Sequence, residues 1–113
     1  MLQMLHNPRC GKSRNCLAFL KENDVPFEVI NYLENPLSKT ELETLINKLA
    51  IKPLDLVRQK ETNWKDSFKG KSLSDEDIIK ALAKFPILID RPIVIKNRKA
   101  IIAREMEKLK NFI

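Results

Sequence analysis

Met1-Leu2-Gln3-Met4-Leu5-His6-Asn7-Pro8-Arg9-Cys10-Gly11-Lys12-Ser13-Arg14 opens the chain, and its reading decides the fold. The first five residues are a short, mostly apolar run that reads as a buried strand. His6-Asn7-Pro8-Arg9 breaks that run with polar groups and a proline. From Gly11 the apolar residues Cys16, Leu17 and Leu20 share one helical face, and Asn23-Asp24-Val25-Pro26 ends the helix. Phe27-Glu28-Val29-Ile30-Asn31-Tyr32 then reads as a second strand, rich in aromatic and β-branched residues. A strand, a helix and a strand joined this way favour parallel pairing with a right-handed crossover.

Working outward, the middle of the chain is helical. Ser38 and Glu41 have the spacing of a capping box, in which each side chain bonds the backbone N–H of the other. Leu42, Leu45, Ile46 and Leu49 follow as a single apolar stripe. Pro53 suits the first turn of a short helix carrying Leu54, Leu56 and Val57, and residues 59–71 read as a polar loop or irregular helix. Ser74 caps a helix with Ile78, Ile79, Leu82 and Ala83, stopped by Pro86. Ile87-Leu88-Ile89, Pro92-Ile93-Val94-Ile95 and Ala100-Ile101-Ile102-Ala103 read as strands, the last two paired as an antiparallel hairpin across Lys96-Asn97-Arg98-Lys99. Glu105 to Phe112 closes the chain as a helix with Met106 and Leu109 inward. The sum is an α/β chain, a βαβ half and a ββα half with a helical insertion between them. That order resembles the thioredoxin-like fold, and 113 residues suit one domain, 1–113.

Composition narrows the function classes. The chain is 43% hydrophobic and 32% charged, which suits a folded soluble protein rather than a disordered one. No apolar run approaches the roughly 20 residues a membrane helix needs, and the N-terminus lacks the basic start of a signal peptide. A cytoplasmic, monomeric protein without membrane attachment is expected. The net charge of +6 favours an anionic partner. Direct nucleic-acid binding is not expected, because the basic residues are dispersed and Trp64 lies in no repeated aromatic-basic pattern. Two cysteines and one histidine, without a CxxC pair, fall short of a zinc site, so no metal and no bound cofactor are expected. In a reducing compartment the two cysteines are redox-active or inert core, not a structural disulfide.

Cys10 suits the first reading and Cys16 the second. Cys10 stands where the first strand has ended and the helix begins, facing unpaired N–H groups that favour a thiolate. Arg9, Lys12 and Arg14 add positive charge, His6 lies four residues upstream, and Ser13 can offer its hydroxyl to the sulfur or to an anion. Cys16 shares the apolar face of Leu17 and Leu20. Arg58, Arg91 and Arg104 stand in or beside apolar stretches. Arg91 interrupts Pro86-Ile87-Leu88-Ile89-Asp90-Arg91-Pro92-Ile93-Val94, where a guanidinium needs an anion: Asp90 or a bound oxyanion. The Arg91–Pro92 bond is a candidate cis peptide.

The stretch His6 to Arg14 resembles the active-site segment of the glutaredoxin-dependent arsenate reductase (ArsC) family. The likeness continues through Tyr32-Leu33-Glu34-Asn35-Pro36, Leu56-Val57-Arg58 and Pro86 to Val94, in family order. It is similar in length to the short members, which are related to the Spx regulators. The resemblance implies a thioredoxin-like fold with a cis proline at Pro92. It implies that Cys10 attacks arsenate, that His6 lowers the thiol pKa, and that Arg58, Arg91 and Arg104 hold the oxyanion. It further implies that glutathione attacks the cysteine-bound arsenic as reducing co-substrate and that glutaredoxin resolves the mixed disulfide. Glu105 departs from the proline usual in the family and sets a carboxylate beside Arg104. Two other functions share this fold: a redox regulator that binds RNA polymerase, in which Ser13 removes the usual second cysteine, and a thiol reductase acting on another substrate.

Overall fold

The computed structural model describes residues 2–68 and 70–113, so Met1 and Lys69 lie outside the described residues. Two compact units emerge, Met1–Asn35 with Arg91–Ile113, and Pro36–Asp90.

In the first unit, β1 (Leu2–Leu5) pairs parallel with β2 (Phe27–Ile30) through the crossover helix α1 (Gly11–Glu22). On its other side β1 pairs antiparallel with β3 (Ile93–Lys96), which turns back into β4 (Lys99–Ile102). The sheet order β2-β1-β3-β4, with α5 (Met106–Phe112) closing the chain, is the thioredoxin-like arrangement. Side chains alternate across a strand, so Leu2 and Met4 share one face, and Met4 stands opposite Val94 in register. Cys16 and Leu20, one helical turn apart on α1, pack there with Ala103 and with Leu109 of α5.

The second unit is helical: α2 (Lys39–Leu49), a 3-10 turn (Pro53–Leu56), α3 (Thr62–Ser67), α4 (Asp75–Lys84) and a second 3-10 turn (Pro86–Leu88). Both expected caps form. The Ser38 hydroxyl accepts from the Glu41 N–H at 3.1 Å, and the Glu41 carboxylate accepts from the Ser38 N–H at 3.0 Å. Ser74 and Asp77 repeat the exchange at 3.1 and 3.2 Å. α2 buries Leu42, Leu45 and Ile46, and α4 buries Ile78, Ile79 and Leu82. α3, inside the stretch read as a polar loop or irregular helix, buries only Trp64, whose ring stacks on Phe68 with centroids 5.4 Å apart.

Two expectations are corrected. Ile87-Leu88-Ile89 is not a strand: Pro86 starts a 3-10 turn, and Leu88 and Ile89 donate their N–H groups locally to Phe85 and Pro86. Those bonds use the donors a ladder would need, and Ile89 keeps only a single bridge to Val57. Met106 is also not inward. It begins α5 and is 37% exposed, leaving Leu109 as the buried anchor of that helix.

Met4 is fully buried at the centre of the first unit's core. Met4→Ala should therefore cost about 2–5 kcal/mol through lost burial and the remaining cavity. Val29→Ala, at a position 45% exposed on edge strand β2, should change stability by no more than about 0.5 kcal/mol. Urea denaturation midpoints of the two variants check this.

Candidate active site

Antiparallel pairing sets Leu5 opposite Ile93, so the segment leaving β1 and the segment entering β3 meet at the same end of the sheet. The first carries His6 to Cys10 and the second carries Arg91 and Pro92. The Arg91–Pro92 peptide is cis. Arg91 is 7% exposed, and its charge and hydrogen-bonding capacity favour the Cys10 thiolate.

Cys10 is the N-cap residue of α1, with extended backbone at φ −99° and ψ 124°. Ser, Thr, Asp or Asn usually fills that position and presents an oxygen to the first helical N–H groups. Here a half-buried sulfur takes the place. Burial is the largest influence on the thiol and pushes it up. Against it act the Ser13 N–H, the charge and hydrogen bond of Arg91, and the Lys12 N–H, which together hold the thiol below its ordinary value. The sulfur closes no side-chain capping bond of full geometry, so the two N–H groups act on it through their dipoles. A cation that stabilises the thiolate is thus Arg91, far along the chain. Cys16 is the opposite case. It is fully buried, and burial pushes its thiol up to about 11.

His6 and Ser13 are both buried and meet each other, His6 Nδ1 to Ser13 Oγ at 2.7 Å. The Asn7 N–H donates to the same hydroxyl oxygen at 3.0 Å. Burial, then the positive charge of Lys21, lowers the His6 pKa and leaves the ring neutral at pH 7. His6 is not among the groups that shift Cys10; it reaches the sulfur's surroundings through Ser13, whose N–H faces the thiolate. In one tautomer the hydroxyl proton goes to Nδ1. In the other, Nδ1–H donates to Oγ and the hydroxyl proton is released to point elsewhere.

The remaining arginines differ. Arg104 is exposed in the link between β4 and α5. The neighbouring Glu105 carboxylate lies 3.5 Å from Lys108 Nζ. Arg58 belongs to the helical unit, where its half-buried guanidinium bonds the Glu61 carboxylate at 2.5 Å. Its backbone N–H donates to the Leu88 carbonyl at 2.7 Å. Among the described residues no group of three or more His, Cys, Asp or Glu side chains could hold a metal ion.

A family model described as "ArsC family" matches residues 5–112 of this geometry. The chain belongs to the ArsC family. The Escherichia coli (strain K12) protein YfgD, described as uncharacterized, is 43% identical over 110 residues, covering 96% of this chain and 92% of that one. An arsenate reductase of Neisseria meningitidis serogroup A is 34% identical, covering 96% and 94%. Among solved structures, an arsenate reductase from Vibrio cholerae superposes with a TM-score of 0.94 at 37% identity, covering 99% and 97%. This ArsC-family site contains one residue that the sequence reading passed over. Asn7, 2% exposed, makes three hydrogen bonds within the loop that carries Cys10. The signal available was Asn before Pro, a turn-starting pair.

Because burial depresses the His6 pKa, the unfolded chain takes up the His6 proton near pH 6.5, above the folded value. The stability this neutral ring contributes is complete above that pH and is lost as pH falls through the folded value. Thermal midpoints of wild type and His6→Gln between about pH 7 and pH 5 should show a steeper acid loss in wild type. Parallel curves would contradict the assignment.

Proposed function

We propose that this chain is a thiol-dependent oxidoreductase that reduces arsenate to arsenite, with Cys10 as nucleophile and glutathione and glutaredoxin as external reductants. The observation that carries the reading is the Arg91 guanidinium on a sulfur already stabilised by the start of α1. A thiolate attacking an oxyanion meets like-charge repulsion, and a preorganised cation at that point lowers the barrier. Relatives described as arsenate reductases span nearly the whole chain and support the choice of oxyanion.

In the proposed cycle the Cys10 thiolate attacks arsenic and one oxygen leaves as water after protonation. A glutathione thiolate then attacks the cysteine-bound arsenic, and a second oxygen leaves as water. The two sulfurs join as their bonds to arsenic break and water returns to arsenic. The two sulfurs supply the two electrons that take arsenic from the +5 to the +3 state, releasing arsenite and leaving Cys10 as a mixed disulfide. The thiol of glutaredoxin takes the glutathionyl group and restores Cys10. An external thiol suits this chain because position 13 is serine and Cys16 is buried with a raised pKa. Ser13 and neutral His6 are proposed to hold the loop and its hydroxyl at the nucleophile. Arg91 and Arg104 are proposed as the oxyanion's cations.

With arsenate, glutathione, glutaredoxin, glutathione reductase and NADPH, wild type should consume NADPH, and Cys10→Ser should fall to background. Arg91→Ala should lower kcat by about 10²–10³-fold, the loss typical of removing one preorganised charge donor. Absence of Cys10-dependent turnover with arsenate would dismiss this substrate.

A further inference from the structure

Three groups of Asn7 converge on the loop that holds the sulfur. The side-chain Oδ1 accepts from the Arg9 N–H at 3.0 Å, forming a turn of the kind that asparagine makes with its own backbone two residues on. The Asn7 carbonyl accepts from the Cys10 N–H at 3.0 Å, closing a turn over Pro8 and Arg9. The Asn7 N–H donates to Ser13 Oγ at 3.0 Å. Asn7 therefore ties down both Cys10 and Ser13, the residues whose sulfur and N–H face each other at the start of α1.

We propose that the Asn7 carboxamide is a positioning residue, which holds the Cys10 sulfur over the first turn of α1 by fixing the Pro8–Arg9 turn. The backbone bonds of Asn7 belong to any residue at that position, but only a short side chain with a terminal oxygen can also take the Arg9 N–H. Without that oxygen the Arg9 N–H loses a part-buried partner and turns to water, and Pro8 and Arg9 regain freedom. The Cys10 N–H then holds the Asn7 carbonyl less firmly, and the sulfur spends less time against the Ser13 and Lys12 N–H groups. N–H dipoles act over short range, so small displacements of the sulfur lose much of their effect. The consequence falls on thiol acidity more than on folding, which separates positioning from a merely structural contribution.

The inference rests on Cys10 as the reactive thiol of the proposed function but not on arsenate as its substrate. The test is the pH profile of iodoacetamide alkylation at Cys10, followed by mass spectrometry in folded wild type, Asn7→Ala and Asn7→Ser. No oxyanion is present, so failure of arsenate turnover and failure of this proposal are separate results. Asn7→Ala should raise the midpoint by about one pH unit, a roughly tenfold fall in alkylation rate at a pH below both midpoints. Asn7→Ser, whose hydroxyl re-forms the turn more weakly, should fall between wild type and Asn7→Ala. A wild-type midpoint in folded Asn7→Ala overturns the proposal. Should that variant not fold, Asn7→Ser decides: a midpoint between wild type and the denatured thiol supports it, and one equal to wild type overturns it.

Discussion

A sulfur half removed from water prefers to keep its proton, and burial alone would make Cys10 less acidic than an ordinary cysteine. The site inverts that preference with backbone dipoles and one guanidinium, and the rest of the first unit can be understood as what holds them there. α1 must begin at Gly11 for the Lys12 and Ser13 N–H groups to be unclaimed by helical partners. The stability consequence has a definite sign. A thiol whose folded pKa is depressed stabilises the fold above its unfolded pKa, and loses that contribution as pH falls through the folded value.

Sheet topology brings the guanidinium. Arg91 lies eighty-one positions beyond Cys10 in sequence, yet antiparallel pairing of β1 and β3 returns the chain to the point it left. A parallel β3 would place its N-terminus at the opposite end of the sheet. The switch from parallel pairing on one side of β1 to antiparallel on the other thus has a chemical outcome. Ser13 shows a similar economy: its N–H serves the sulfur while its hydroxyl joins His6 to the Asn7 backbone.

Local signals were the legible ones. Ser38 with Glu41 predicted a capping box and Ser74 a helix cap, because such caps involve only one helical turn. Cys10 could be read as exposed to the helix start because strand, break and helix follow one another directly. Arg91 stood out because a guanidinium in an apolar stretch needs an anion. Ile87-Leu88-Ile89 misled because apolar runs look alike in strands and buried turns; Pro86 decided between them. Met106 misled because the pattern of α5 cannot tell how much of a two-turn helix lies over the sheet. Nearness in sequence pointed to Arg9, Lys12 and Arg14 as charges beside the thiol, and could not show Arg91, which strand register brings to the same end of the sheet. His6 could be read from sequence as a neighbour of the thiol, but not its bond to Ser13, which depends on how the loop folds back onto α1.

The central claim concerns the ionisation of one sulfur. It is tested most directly by titrating the thiolate ultraviolet absorbance of the Cys16→Ala protein, in which Cys10 alone contributes, in the native and the denatured state. The native thiol should ionise at lower pH than the denatured one, which lies near the ordinary value of about 8.5. Coincident titrations, or a native thiol that ionises at higher pH, would mean that burial outweighs the helix and Arg91, and would contradict the account.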